Sequence, residues 1–430
     1  MRHRPPTTST VATGDLQQTR LPCGARVVTE HVPGARSVAV GLMIDTGSRD
    51  EPVERSGISH FVEHMVFKGT RRRRAHHIAQ RMEAVGGYLN AFTEKEVTCY
   101  YGRALPEHAA RAIDAVVDLA LRPSFPANEV AREQGVVFEE LKLYDDTPEE
   151  AALDLYDSAM YPGHGLGRPV LGSEETVGGL TQDALHAFVA AHYVPERMVL
   201  AAVGAVDHAQ VCRAATRAFA DADRPAAPGP PRQAAPPPRA RREVRPRPVQ
   251  QAHVVLGVRA LYMDDERRHA LTLLHTAIGA GMSSRLNRQI RETTGGCYAI
   301  YSFVNAYTDT GDLGVYAGVD PARLDRMVAR IWREMTWFAT HPLPGRVLQR
   351  VKNQARGEWL LGLESLSNRM VYIARHMLYH GDLPSAAAEA DGLQAVSAEA
   401  VRSLAQKLFA DQPSVEVTLV PAEDFRPAMI

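Results

Sequence analysis

The pentapeptide His60-Phe61-Val62-Glu63-His64 constrains this chain more than any other stretch. On an α-helix, residues four apart share a face with Cβ atoms about 5–6 Å apart, so both imidazoles can reach one tetrahedral metal ion. Glu63 stands beside His64 and three positions after His60. Its carboxylate can therefore take a proton from a water held at that metal without serving as a ligand. Ile58, Phe61, Val62, Met65, Val66 and Phe67 surround the motif with apolar side chains. They predict a largely buried helix, in which two unpaired imidazoles would be costly. Surface histidines on an amphipathic helix are the competing reading, and the apolar surroundings weigh against it.

A catalytic zinc takes three protein ligands and leaves a fourth position open, so a third ligand is expected downstream. The run Glu133-Gln-Gly-Val-Val-Phe-Glu139-Glu140 supplies carboxylates on one predicted helix. Glu133 and Glu140 stand two turns apart and share a face. On the residues alone, Glu139 and Glu140 both remain candidates for the third ligand.

The chain has 430 residues, comfortable for two domains with full cores. Its formal net charge of −1 offers no sequence-wide attraction for nucleic acid or an anionic membrane. No stretch approaches the ~20 apolar residues of a membrane-spanning helix, and residues 1–18 are polar without the apolar core of a signal peptide. The four cysteines, at 23, 99, 212 and 297, are scattered without a Cys-x-x-Cys pair, which fits a reducing compartment. The expectation is a soluble, cytoplasmic protein with neither a nucleic-acid nor a membrane partner.

Proline and arginine crowd residues 224–248. Proline at this density excludes helix and interior strand, so the segment reads as a semi-rigid linker. It leaves a tail over 1–18, a first domain over 19–223 and a second over 249–430. In the first, strands are predicted over 26–30 and 38–46, the motif helix over 57–67, and a second helix over 77–85 stopped by Gly86-Gly87. Strand-like runs over 88–92 and 97–101 suggest a hairpin. Long helices fill 107–157, and a helix over 182–192 leads into a strand over 198–205. The same grammar returns after the linker, with a strand over 253–260, a helix over 266–278, a strand over 314–317, long helices and a final strand over 415–420. The halves read as a diverged internal duplication. The second copy's helix, around His269 to His275, lacks the His-x-x-Glu-His pattern.

Three stretches together resemble a known family. They are Gly57-Ile-Ser-His60-Phe-Val-Glu63-His64-Met-Val-Phe-Lys-Gly69-Thr70, then Gly86-Gly87-Tyr-Leu-Asn90-Ala91-Phe-Thr-Glu94, then Glu133 with Glu140. The His-x-x-Glu-His order inverts the commoner zinc-peptidase motif. The chain resembles the pitrilysin/insulinase metallopeptidases, in particular their mitochondrial processing peptidase branch, over nearly its whole length. The resemblance implies an α+β fold of two homologous domains, each a mainly antiparallel sheet packed by helices. It implies zinc on His60, His64 and Glu140, the base at Glu63, and a supporting carboxylate at Glu133. Cys23 stands where the family usually has Asn, in a turn remote from the metal.

By the same likeness Asn90 and Ala91 lie on an edge strand that pairs with extended substrate, a mode that reads backbone more than side chain. Residues 281–298 are similar to the family's substrate-binding segment, whose Arg and Tyr fall on Arg291 and Tyr298. A guanidinium and a phenol are good donors to a peptide carbonyl. Outside that context, Arg291 reads as half of a surface ion pair with Glu292 or another acid. The expected function is zinc-dependent endopeptidase action on short or unfolded polypeptides. Longer relatives carry four such domains, so a homodimer enclosing a chamber is the expected partnership. The alternative is a silent structural or partner subunit, a role in which relatives typically lose the zinc motif.

Overall fold

The computed structural model describes residues 10–13, 15–220, 232–293, 295–410 and 412–422. It resolves into two units, each gathered from three segments of chain. The first comprises Met1–Leu141, Pro169–Arg232 and Leu361–Ser385, the second Lys142–Arg168, Gln233–Leu360 and Ala386–Ile430.

In the first unit seven strands form one sheet: β1 (Thr10–Thr13), β2 (Leu16–Arg20), β3 (Arg26–His31), β4 (Val38–Ile44), β5 (Tyr88–Thr93), β6 (Thr98–Ala104) and β7 (Met198–Gly204). Their spatial order is β1-β2-β3-β7-β4-β6-β5. Only β3 and β7 run parallel. The second unit holds β8 (Arg241–Arg247), β9 (Ala252–Ala260), β10 (Cys297–Ala306), β11 (Gly311–Val319) and β12 (Ser414–Pro421), ordered β10-β11-β9-β12-β8. Here the parallel pair is β8 with β12. Read from its parallel end, each sheet has the same order and the same strand senses, β3-β7-β4-β6-β5 against β8-β12-β9-β11-β10. The expected duplication is thus written in topology.

The sequences of β4 and β7 are unbroken apolar runs because both faces of their sheet are covered. On one face Val40, Leu42 and Ile44 meet the motif helix Ile58–Val66 and helices Ala109–Leu121, Gln182–His192 and His208–Ala218. On the other, Ala39, Met43 and Val199 meet Met370, Ile373, Ala374 and Met377 of helix Leu366–His380. Burial of each large side chain there contributes about 1.5–3 kcal/mol. Arg369 holds the same helix to β3 through two contacts with Glu30, of 2.5 and 2.6 Å.

The second unit repeats the arrangement. Helix Pro148–Met160 lays Leu155, Tyr156 and Ala159 on Val255, Val415 and Val417, while helices Arg268–Ile278, Leu324–Thr340 and Ala398–Ala410 cover the opposite face. Glycines at matching places admit the covering helices. A Cβ on Gly41 of β4 would collide with Met370 Sδ, and a Cβ on Gly257 of β9 with the Tyr156 hydroxyl. Beneath Tyr156 lies Asp312, fully buried, accepting hydrogen bonds from Tyr161 at 2.7 Å and Tyr156 at 3.3 Å.

Three expectations change. Of the expected tail over 1–18, Thr10–Thr13 form β1 and Leu16 begins β2, so it adds strands to the first sheet; residues 1–9 and 14 lie outside the described residues. The linker over 224–248 contains a strand, since 241–247 form β8. Proline is barred from sheet interiors, yet β8 is an edge strand, where Pro246 leaves no needed donor missing. Residues 224–231 of that stretch lie outside the described residues; Arg232 is fixed by Asp50 at 2.9 and 3.0 Å. Last, a division between 223 and 249 misassigns two segments. Lys142–Arg168 belongs with the second sheet and Leu361–Ser385 with the first. Each carries the amphipathic helix that closes the far face of the other half's sheet.

Candidate metal centre

The motif helix begins abruptly at Gly57, whose φ of 92° is left-handed and whose missing Cβ leaves room for the Leu171 carbonyl. The two amide donors exposed by that start find one buried carboxylate. Glu51 accepts from Gly57 N at 2.7 Å and Ser59 N at 2.8 Å. This satisfies orphan donors at the helix N-terminus and places an anion at its positive end. Ile58, Phe61, Val62, Met65 and Val66 then seal the helix into the core, so its histidine face has a fixed orientation.

His60 and His64 stand with ring centroids 4.5 Å apart. Helix Ala127–Asp145 brings Glu140 to both: its Oε2 lies 3.8 Å from His60 Nε2 and 3.5 Å from His64 Nε2. The three donor atoms fall within 4.8 Å of one another, and among the described residues this is the one group of three such side chains so placed. Glu139, one residue earlier, is exposed and outside the group. Of the two carboxylates, Glu140 is the one brought close to both imidazoles.

The donor set suits zinc, with two imidazole nitrogens and one carboxylate oxygen converging. Burial, and then the neighbouring His64, push the His60 imidazole down to about 3, so its lone pair is free. His64 Nδ1 lies 3.0 Å from Glu133 Oε1. Donation from that nitrogen to the carboxylate leaves the lone pair on Nε2, the atom facing Glu140. Glu133 is nearly inaccessible, at 3% exposure, and its other oxygen pairs with Lys68 Nζ at 2.7 Å.

Glu63 projects from the same helix and accepts a 2.6 Å hydrogen bond from Thr93 Oγ1. Burial raises its carboxyl above the ordinary glutamate range, with the Thr93 bond acting in the opposite direction. Thr93 ends β5, which among the described residues pairs with β6 alone, at the edge of the sheet. Asn90 and Ala91 lie on that strand opposite Tyr101 and Tyr100, and the Asn90 side chain turns back to the Ala91 amide at 2.9 Å.

Arg291 and Tyr298 belong to the second unit. Arg291 sits on a π-helical turn, Asn287–Glu292, with a single contact to Met282 Sδ at 3.6 Å and no ion pair among the described residues. Tyr298 is 80% exposed, unusual for so large a ring on a strand. The ion pair with Glu292 considered for Arg291 is not formed. Lys68 and Thr93 went unread in the sequence. Lys68 lies in the turn just past the motif helix and Thr93 at a strand end, and neither carried a signal beyond that place.

The family model for insulinase, peptidase family M16, matches residues 26–174, and that for the peptidase M16 inactive domain matches 179–355. Over 412 residues the chain is 38% identical to an uncharacterized zinc protease of Streptomyces coelicolor, covering 94% of this chain and 89% of that one. An uncharacterized zinc protease of Bacillus subtilis is 36% identical over 389 residues, with 90% and 94% covered. The chain belongs to the insulinase family, peptidase M16. A protease from Helicobacter pylori, 20% identical, has the same fold with a TM-score of 0.87 over 97% of this chain and all of that one. A Pseudomonas fluorescens structure described as a peptidase M16 inactive domain superposes equally well, with a TM-score of 0.87 at 18% identity over 98% and 99% of the two chains. In this M16 chain the converging donors all fall within 26–174, outside the part matched as the inactive domain.

Proposed function

We propose that the protein is a zinc-dependent endopeptidase acting on short or unfolded polypeptides, with His60, His64 and Glu140 as metal ligands. The observation that carries this is the convergence of those three donors beside a half-buried, hydrogen-bonded Glu63. Zinc, when bound, would polarise a peptide carbonyl and lower the pKa of a water. Glu63 takes a proton from the attacking water and delivers it to the departing amine. Thr93 holds that carboxylate in place. The edge strand β5 around Asn90 and Ala91 pairs with the extended peptide backbone. Arg291, which forms no ion pair among the described residues, and the exposed Tyr298 donate to peptide carbonyls. The working form is a homodimer, and the surroundings are cytoplasmic; among the described residues no helix is long and apolar enough to cross a membrane.

A second reading, a silent structural or partner subunit, draws support from the inactive-domain match over 179–355. The test is Glu63→Gln, nearly isosteric and unable to accept the proton. Retained zinc with loss of most peptide cleavage supports the peptidase. Wild-type protein that holds no stoichiometric zinc and cuts no unstructured peptide supports the silent subunit.

A further inference from the structure

The site gathers three carboxylates, Glu63, Glu133 and Glu140, around two imidazoles, and Lys68 brings an ammonium to this cluster through Glu133. Glu133 is the most deeply buried of the carboxylates, its side chain 4% exposed, and a buried carboxylate without a counter-charge is strongly disfavoured. Lys68 Nζ lies 2.7 Å from its Oε2, while its Oε1 lies 3.0 Å from His64 Nδ1. The order Lys68, Glu133, His64 is therefore a continuous polar chain ending on a metal donor.

Its placement matters as much as its charge. Lys68 and His64 come from the motif helix and the turn that ends it, Glu133 and Glu140 from helix Ala127–Asp145. Glu133 lies two turns before Glu140 on one face, so whatever fixes Glu133 against the motif segment also fixes Glu140 against His60 and His64. Lys68 and His64 grip the two oxygens of that single carboxylate from opposite ends. A carboxylate held on both oxygens cannot rotate freely, and that orients the imidazole it serves.

We propose that Lys68 is a positioning residue for the metal centre. Through Glu133 it fixes the His64 ring and the spacing of the two ligand-bearing helices, and so sets zinc affinity. This rests on the zinc reading above and adds to it a residue that touches neither metal nor substrate.

The experiment measures zinc affinity of the full-length, metal-stripped chain by competition with a chromophoric chelator. Thermal unfolding of each metal-free variant runs alongside. Lys68→Met is expected to weaken zinc binding about 10- to 100-fold, the range typical for loss of an outer-sphere partner, and Lys68→Arg to restore it to within a few-fold. In a Glu133→Gln background, Lys68→Met should add less than about twofold, because the two act in series. Lys68→Gln stands in where the Met variant lowers metal-free stability. Zinc affinity unchanged in Lys68→Met, in a wild type whose binding is lost on His60→Ala, would overturn the role of Lys68 alone. So would an undiminished effect of Lys68→Met in the Glu133→Gln background. Wild-type protein with no His60-dependent zinc binding would instead sink the zinc reading and this inference with it.

Discussion

Thr93 Oγ1 donates a 2.6 Å hydrogen bond to Glu63 Oε2, so the last residue of an edge strand holds the carboxylate carried by the motif helix. Thr93→Val is nearly isosteric and removes the donor. Cleavage of an unstructured peptide should then lose about 10-fold or more in kcat with KM and zinc content little changed, since a neutral bond to a charged group contributes about 1.5–3 kcal/mol. Thr93→Ser should recover most of it. A Val variant with wild-type kcat would leave the bond without a catalytic part.

Glu140 and Glu139 are adjacent in sequence and differ in what they reach. Glu140→Gln should abolish stoichiometric zinc, because an amide is a poor ligand, while Glu139→Gln should keep it. Metal analysis of the two purified variants decides between them. The opposite result would move the ligand by one residue and require the helix to turn by about 100°.

Asp312 gives a prediction remote from the metal. Complete burial, more than any neighbouring charge, pushes its carboxyl up to about 7, against the lowering pull of the Tyr161 and Tyr156 hydroxyls and Arg259. The folded chain thus keeps a proton that the unfolded chain has released above about pH 4. Stability from this group is full below that pH and declines as pH rises toward 7. Asp312→Asn cannot ionise, so relative to wild type it should gain on the order of a few kcal/mol between pH 4.5 and 8. Denaturant unfolding of metal-free proteins at both values measures it; a difference independent of pH would refute the assignment.

The proposed homodimer predicts complementation. If zinc from one chain works with Arg291 and Tyr298 of its partner, Glu63→Gln and Arg291→Ala are each poorly active alone. Co-refolded in equal amounts they should recover roughly a quarter of wild-type activity, since about half the dimers are mixed and each mixed dimer has one intact site. No recovery, with subunit exchange demonstrated by mass, would place each site within a single chain.

What the sequence revealed and what it hid follow one rule. His60, Glu63 and His64 were legible because a helix converts spacing directly into direction. The hairpin of β5 and β6 was legible because its turn residues interrupt two strand-like runs. The family resemblance pointed to Glu140 over Glu139, whereas the residues alone did not separate them, because that depends on how a second helix is placed against the first. Lys68 and Thr93 escaped because their partners, Glu133 and Glu63, lie on other elements, and no local pattern encodes such meetings. Helix Leu366–His380 falls among the long helices read after residue 317, yet periodicity says which face of a helix is apolar and not which sheet will receive it.

That helix gives the chain a timetable. A chain that folds as it is made has all seven strands of the first sheet once residue 204 has emerged, yet Met370, Ile373 and Met377 do not exist until much later. Roughly 180 residues separate the end of β7 from the end of the covering helix. At about 5–20 residues per second, Ala39, Met43 and Val199 wait on the order of 10–40 s without their cover. The newborn protein thus passes through a period in which all three metal donors have been synthesised and the sheet that supports them is still bare on one side.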